Sequence, residues 1–143
     1  MTISLLILPD EFGLYQFHRD YRFSTEWLNE LPWYTLSKTS GEVSLLCPAQ
    51  YHSTTTDPSL ATAAKKNELG WRCFQVDAQM DFSLIGILAS IIDPLRDNKI
   101  PVFVVSTFDT DYILVKEDML EKAMGVLNRQ QGIVIRPGSS VVL

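Results

Sequence analysis

The stretch from Asn98 to Asp118, NKIPVFVVSTFDTDYILVKED, constrains the fold more than any other part of the chain. Pro101 to Val105 and Tyr112 to Val115 are short apolar runs rich in β-branched residues, which favour extended backbone in a covered sheet. Between them, Ser106-Thr107-Phe108-Asp109-Thr110-Asp111 packs hydroxyls and two carboxylates into six residues beside a core. A pair of strands joined by a polar turn is predicted, and that turn is the leading candidate for a site.

A chain of 143 residues can bury one good core or two small ones packed together. Its 46% hydrophobic and 20% charged content is that of an ordinary soluble globular protein. Phosphate backbones are held by clustered Lys and Arg, so a net charge of -5 argues against a nucleic-acid partner. The apolar run from Ile3 to Leu8 lacks a basic flank and is shorter than a secretory apolar region. Nothing approaches the roughly 20 apolar residues of a membrane span. A cytoplasmic location with no membrane contact is expected. Cys47 and Cys73 sit in apolar, strand-like runs with no Cys or His at metal-binding spacing, so two reduced core thiols are expected, with no metal and no cofactor.

In the first half, Thr2 to Leu8 suits a strand covered on both faces. Pro9-Asp10-Glu11-Phe12-Gly13 has turn chemistry, which predicts a hairpin returning through Leu14 to Phe17. Ser24 can cap a short helix through Trp27, Leu28 and Leu31 that Pro32 stops. Trp33 to Lys38 and Glu42 to Cys47 are expected to be strands joined across Thr39-Ser40-Gly41. Gln50 to Gly70 carries almost nothing large and apolar, and reads as a surface connection with a little helix near Leu60 to Asn67. His18 and His52 have no Ser, Cys or carboxylate at a spacing that would mark a triad.

The second half reads as strand, helix, strand, strand, helix, strand. Trp71 to Asp77 alternates as a strand does, and Leu84, Leu88, Ile91, Ile92 and Leu95 make a helical stripe. Asp81 or Ser83 can cap that helix, Gly86 falls in its first turn, and Pro94 with Asn98 ends it. Glu117 to Asn128 repeats the stripe with Leu120, Ala123, Met124 and Leu127, and Gly132 to Ile135 closes as a last strand. That order is the split βαβ arrangement, two helices over one face of a four-stranded antiparallel sheet.

With FSLIGILASIIDPL at Phe82 to Leu95, VFVVSTFDTDYILV at Val102 to Val115 and SGEVSLLCP at Ser40 to Pro48, the chain resembles the paired-ACT-domain family of amino-acid sensors, the CASTOR-like ACT proteins. The resemblance implies an α+β fold of two tandem ACT-like (ferredoxin-like βαββαβ) units: a degenerate, strand-rich unit at 1–49, a connecting segment at 50–70 and an ACT domain at 71–143. It also implies a small-molecule-sensing regulatory protein that binds a free amino acid or similar zwitterion at an interface between ACT units. Carried onto this chain, Met80, Asp81, Phe82, Ser83, Ile85 and Gly86 would offer backbone amides to a ligand carboxylate. Ser106, Thr107, Phe108 and Asp111 would line the other side, with Asp111 suited to an ammonium or guanidinium. The chain holds material for two units where the animal sensors carry four, which implies a homodimer and a regulated protein target.

Each residue also has a plainer use. Asp109 and Asp111 can cap turn amides, Gly86 can permit close helix packing, and Phe108 can be core. A ligand-independent protein-interaction module on the same fold is the alternative function. No enzyme is expected, because Asp109 and Asp111 are accompanied by no nucleophile and base pair, P-loop or dinucleotide turn.

Overall fold

The computed structural model describes residues 2–53, 59–77 and 86–142. The elements run β1 (Ile3–Phe17), α1 (Thr25–Glu30), β2 (Thr35–Lys38), β3 (Val43–Pro48), α2 (Leu60–Ala63), β4 (Lys66–Val76), α3 (Ile87–Asp97), β5 (Phe103–Ser106), β6 (Asp111–Lys116), α4 (Leu120–Asn128) and β7 (Ile133–Pro137). They form two compact units, one of Met1–Pro9 with Arg72–Ser139 and one of Asp10–Trp71 with Ser140–Leu143. The α+β class stands, but the tandem division at 50–70 does not. The long strands β1 and β4 each run through both units, so the units interleave along the chain.

The expected hairpin at Pro9 to Gly13 is absent, and β1 continues without a break for 15 residues. Two local facts explain why. Backbone N–H and C=O groups of alternate residues face the same side of a strand. Pro9 therefore lies on the side marked by Ile3 N, which donates to Gly132 O, and Ile7 O, which accepts from Gly138 N. The register with β7 ends at the Ile7 and Pro137 pair, and that with β3 begins at Phe12 and Pro48. The missing N–H of Pro9 thus falls where no ladder bond is required. Gly13 is not at positive φ. It serves close approach, since a Cβ there would stand 2.7 Å from Tyr15 Oη and 2.8 Å from Leu69 Cδ2.

In the unit of Met1–Pro9 and Arg72–Ser139, the sheet order is β7-β1-β4-β6-β5. The predicted four-stranded antiparallel sheet is therefore opened by a fifth strand. β1 lies parallel to β7, and Asp77 N on the β4 side donates to Ser4 O. Both edges of an almost wholly apolar segment are thereby hydrogen-bonded, which a covered strand requires. The helices pack on this sheet through Ile87, Ile91, Leu95, Ala123, Val126 and Leu127, against Leu5, Phe74, Val76, Ile113 and Val115.

α3 starts later than its apolar stripe suggests. Gly86 is not in its first turn but is the residue before it, with φ +86°. Nothing lies within 4 Å of a Cβ built there, so the left-handed backbone alone selects glycine. Pro94 lies inside the helix, which runs on to Asp97 because burial of Ile91 and Leu95 outweighs the lost backbone bond. The end is a Schellman motif: Ile100 N donates to Leu95 O and Lys99 N to Arg96 O, with Lys99 at φ 60°.

In the unit of Asp10–Trp71 and Ser140–Leu143, β3 pairs antiparallel with both β1 and β2. Thr39 Oγ1 accepts from Gly41 N and Glu42 N, each at 3.1 Å, and so fixes the turn expected between β2 and β3. Ser24 caps α1 through Trp27 N, again as expected. The 50–70 connection is shorter than predicted. Ser59 caps a helix of four residues, and Lys65 N already donates to Gln16 O, so β4 begins at Lys66. The core is Tyr15, Phe17, Leu31, Val43, Leu45, Cys47 and Leu60.

Cys47 and Cys73 are fully buried thiols and are not joined in a disulfide. Burial pushes the Cys47 thiol up to about 12 from 9.0. The folded pKa is the higher one, so this group's stabilisation is complete below about 9 and is lost as the pH climbs toward 12. Iodoacetamide at about pH 8 is accordingly expected to label Cys47 no faster than its unit opens, as read by mass spectrometry against unfolding kinetics. Lys99→Gly, which relieves the left-handed position, is expected to raise the denaturant midpoint by about 1 kcal/mol of stability with no change in slope.

Candidate functional site

The β5 and β6 strands pair in antiparallel register, with Phe103 opposite Leu114 and Ser106 opposite Asp111. This register fixes the site, because it brings the last residue of one strand directly against the first of the next. Ser106 Oγ donates to Asp111 Oδ1 at 2.5 Å, a charge-assisted bond at the short end of its range. Asp111 is only 7% exposed.

The turn itself is closed by two threonines. Thr107 N donates to Thr110 O at 2.8 Å, and Thr107 Oγ1 accepts from Thr110 N at 3.3 Å. Thr110 is buried, and its Oγ1 donates to Val76 O at 2.8 Å. The turn is thus tied to the last residue of β4, from which the chain passes through Asp77 into 78–85. Thr110 was not among the anticipated residues. The Thr107-x-x-Thr110 spacing was the available signal, since hydroxyls three apart commonly close a turn on its own backbone.

Of the anticipated residues, Ser106, Thr107, Phe108 and Asp111 fall on this one turn. Phe108 is 80% exposed and is not core. Gly86 stands at the start of α3, where its carbonyl accepts from Ser90 N at 2.9 Å and from Ser90 Oγ at 2.8 Å. It offers no side-chain cap to the first turn of the helix. Met80, Asp81, Phe82, Ser83 and Ile85 lie outside the described residues.

Other candidate positions have local roles. His52 Nδ1 is 2.9 Å from Tyr15 Oη, the two rings are stacked, and Tyr15 is fully buried. Burial, followed by the proximity of Cys47 and Glu11, raises the Tyr15 hydroxyl well above its usual range, so it remains a neutral hydrogen-bonding group. His18 is exposed beside Asp20. A groove of about 560 Å³ is lined by Ser90, Asp93, Asp97, Asn98, Gln130 and Gln131 among others, and contains none of the anticipated residues. Its place along α3 does not coincide with the β5–β6 turn. No helix among the described residues is long and apolar enough to cross a membrane.

The sheet with its two helices, and a polar turn anchored at the end of β4, make an α+β arrangement. Residues 67–129 match the family model described as ACT domain. The chain is 30% identical over 104 residues to the human "Cytosolic arginine sensor for mTORC1 subunit 1", an alignment covering 72% of this chain and 31% of that protein. The rat protein of the same name is 29% identical over 102 residues, with 71% and 30% covered. This chain therefore spans about a third of the length of these relatives. Among solved structures, protein Atu0741 from Agrobacterium tumefaciens superposes with a TM-score of 0.75 at 28% identity, covering 97% of each chain. The aspartokinase alpha and beta subunits superpose at 0.63 with 12% identity, covering 90% of this chain and 97% of that one, a likeness of fold alone.

Thr110→Val keeps the shape of the side chain but leaves Val76 O without its hydroxyl donor. A loss of about 1–3 kcal/mol in chemical denaturation is expected, with retained secondary structure by circular dichroism. A change below a few tenths would mean that the turn is not anchored in this way.

Proposed function

We propose that this chain is a small-molecule-sensing regulatory module that binds a free amino acid or similar zwitterion at the β5–β6 turn. The observation that carries the reading is the Asp111 carboxylate, buried and bonded to Ser106 at the end of the hairpin within the ACT segment. A buried acid of this kind favours a ligand ammonium or guanidinium, because in low dielectric a charge-assisted bond is worth roughly twice a neutral one. Gly86 and the first residues of α3 are the described positions from which backbone amides would meet a ligand carboxylate, through the partial positive charge of a helix start. The hydroxyls of Thr107 and Ser106 and the exposed ring of Phe108 give the ligand polar and apolar contacts.

Such a module acts without turnover. Binding is read out as a change in a subunit contact or in a regulated protein target, and it alters that contact only by the difference in ligand affinity between two arrangements. A homodimer of this chain is the simplest assembly that would couple two such sites. The relatives' name supports a cytosolic setting and puts arginine first among the ligands to try. The exposure of Phe108 supports a second reading, in which the turn docks a protein and needs no ligand.

Thermal unfolding against each of the twenty amino acids separates the readings. A true ligand at 100 times its Kd is expected to stabilise the chain by about 2.7 kcal/mol, and Asp111→Ala is expected to abolish that shift. No shift with any amino acid, together with a protein partner lost on Phe108→Ala and retained on Asp111→Ala, would favour the docking module.

A further inference from the structure

Tyr15, Phe17, Val43 and Leu45 turn toward the core of the unit Asp10–Trp71 and Ser140–Leu143, so by alternation Gln16 on β1 and Ser44 on β3 stand on the opposite face of its sheet. The register sets Gln16 against Ser44, and Lys65 N, just before β4, donates to Gln16 O at 2.8 Å. A recess of about 260 Å³ crosses the three strands there, lined by Leu14, Gln16, Glu42, Ser44, Lys66 and Glu68 among others. Its Glu42 carboxylate is fixed from two strands: Ser44 Oγ donates to Glu42 Oε1 at 2.5 Å, and Gln16 Nε2 donates to the same oxygen at 3.4 Å. These two bonds, that of Ser44 first, hold the Glu42 carboxyl below its usual range, so it is ionised at neutral pH. Glu42 Oε2 takes no hydrogen bond among the described residues. Lys66 lines the recess from the far side of β1, and among the described residues it makes no ion pair.

Two opposite charges that share a recess and do not pair with each other leave room for a molecule that carries both. β3 and β4 flank β1, so their backbones are about 9.6 Å apart, two inter-strand spacings. An ammonium bonded to Glu42, a carboxylate bonded to Lys66 and the few covalent bonds between them span a gap of that order, with charge-assisted contacts of about 2.7–2.9 Å at each end. We propose that this recess is a second ligand site, for a small zwitterion that joins a primary ammonium to a carboxylate, with Glu42 as the ammonium acceptor, Lys66 as the carboxylate partner, and Gln16 and Ser44 as the groups that position Glu42. Its volume is that of about nine waters, which suits a molecule the size of a free amino acid. Glu68 adds a second acid to the lining, which favours amino acids with a neutral or basic side chain over acidic ones. The site is built from one unit and requires nothing of Asp111, which belongs to the other.

Backbone amide NMR of the full chain, titrated with each common amino acid and, as half-ligands, with methylammonium and acetate, reads the recess directly. With at least one neutral or basic amino acid, saturable shifts are expected at the amides of Gln16, Ser44 and Lys66, at concentrations where methylammonium and acetate give none. Glu42→Gln and Lys66→Met are each expected to weaken that binding by about tenfold or more, the loss of one charge-assisted contact. Neither side chain is buried, so both variants are expected to keep the rest of the spectrum unchanged. The shifts at the recess are expected to persist in Asp111→Ala. No saturable shift at these amides with any amino acid, equal binding of the half-ligands, or unchanged affinity in both Glu42→Gln and Lys66→Met overturns the site. Shifts confined to residues 106–111 that vanish in Asp111→Ala would support the β5–β6 turn as a site while overturning the recess.

Discussion

β1 runs for 15 residues, largely covered, and most of the architecture follows from how its backbone groups find partners. An apolar strand cannot leave backbone groups unpaired away from water, where each orphan costs about 1–3 kcal/mol. Within the first unit β1 pairs with β7 and β4, and within the second it pairs with β3. Because β1 and β4 are both long, neither compact unit is a continuous piece of sequence. Pro9 falls outside both registers, so the residue that looks like a turn former sits where its missing N–H costs no ladder bond.

The candidate site rests on the same economy of backbone groups. Registering Ser106 against Asp111 consumes the hairpin's last ladder position, and the turn beyond it is satisfied by its own threonines. The buried hydroxyl of Thr110 then carries the connection to β4. An acid placed on such a closed turn has its geometry set by the sheet, which is what a recognition site needs if binding is not to spend its energy on ordering the protein. The nearby surface is asymmetric, with Asp111 withdrawn and Phe108 standing out into solvent.

Period-two and helical patterns made the strands of 101–115, the stripe of α3 and the Ser24 cap legible from residues alone, since each depends on neighbours within a few positions. The hairpin at Pro9 to Gly13 was misread because its residue types have two uses. Proline can start a turn or fill a gap in a ladder, and glycine can turn the chain or clear space for Tyr15 Oη. Only non-local partners decide between them. Gly86 was assigned to a helix that begins one residue later, for which its positive φ is the reason, and spacing carries no information about φ. Of the two residues expected to end α3, Asn98 is its C-cap, whereas Pro94 lies inside it, where Ile91 and Leu95 hold the helix together. At the site, residue types pointed to Ser106 and Asp111, while Thr110 was missed because its partner, Val76 O, lies 34 positions away.

The parallel run of β7 beside β1 has a consequence for how copies of this chain can meet. Gly132 O and Gly138 N both face β1, so by alternation Ile133, Ile135 and Pro137 present their backbone outward. Ile133 N is already given to Gln130 O, and Pro137 has no hydrogen to give. Among the described residues this border of the sheet therefore offers a visiting strand a single amide, at Ile135, an edge that resists lateral growth.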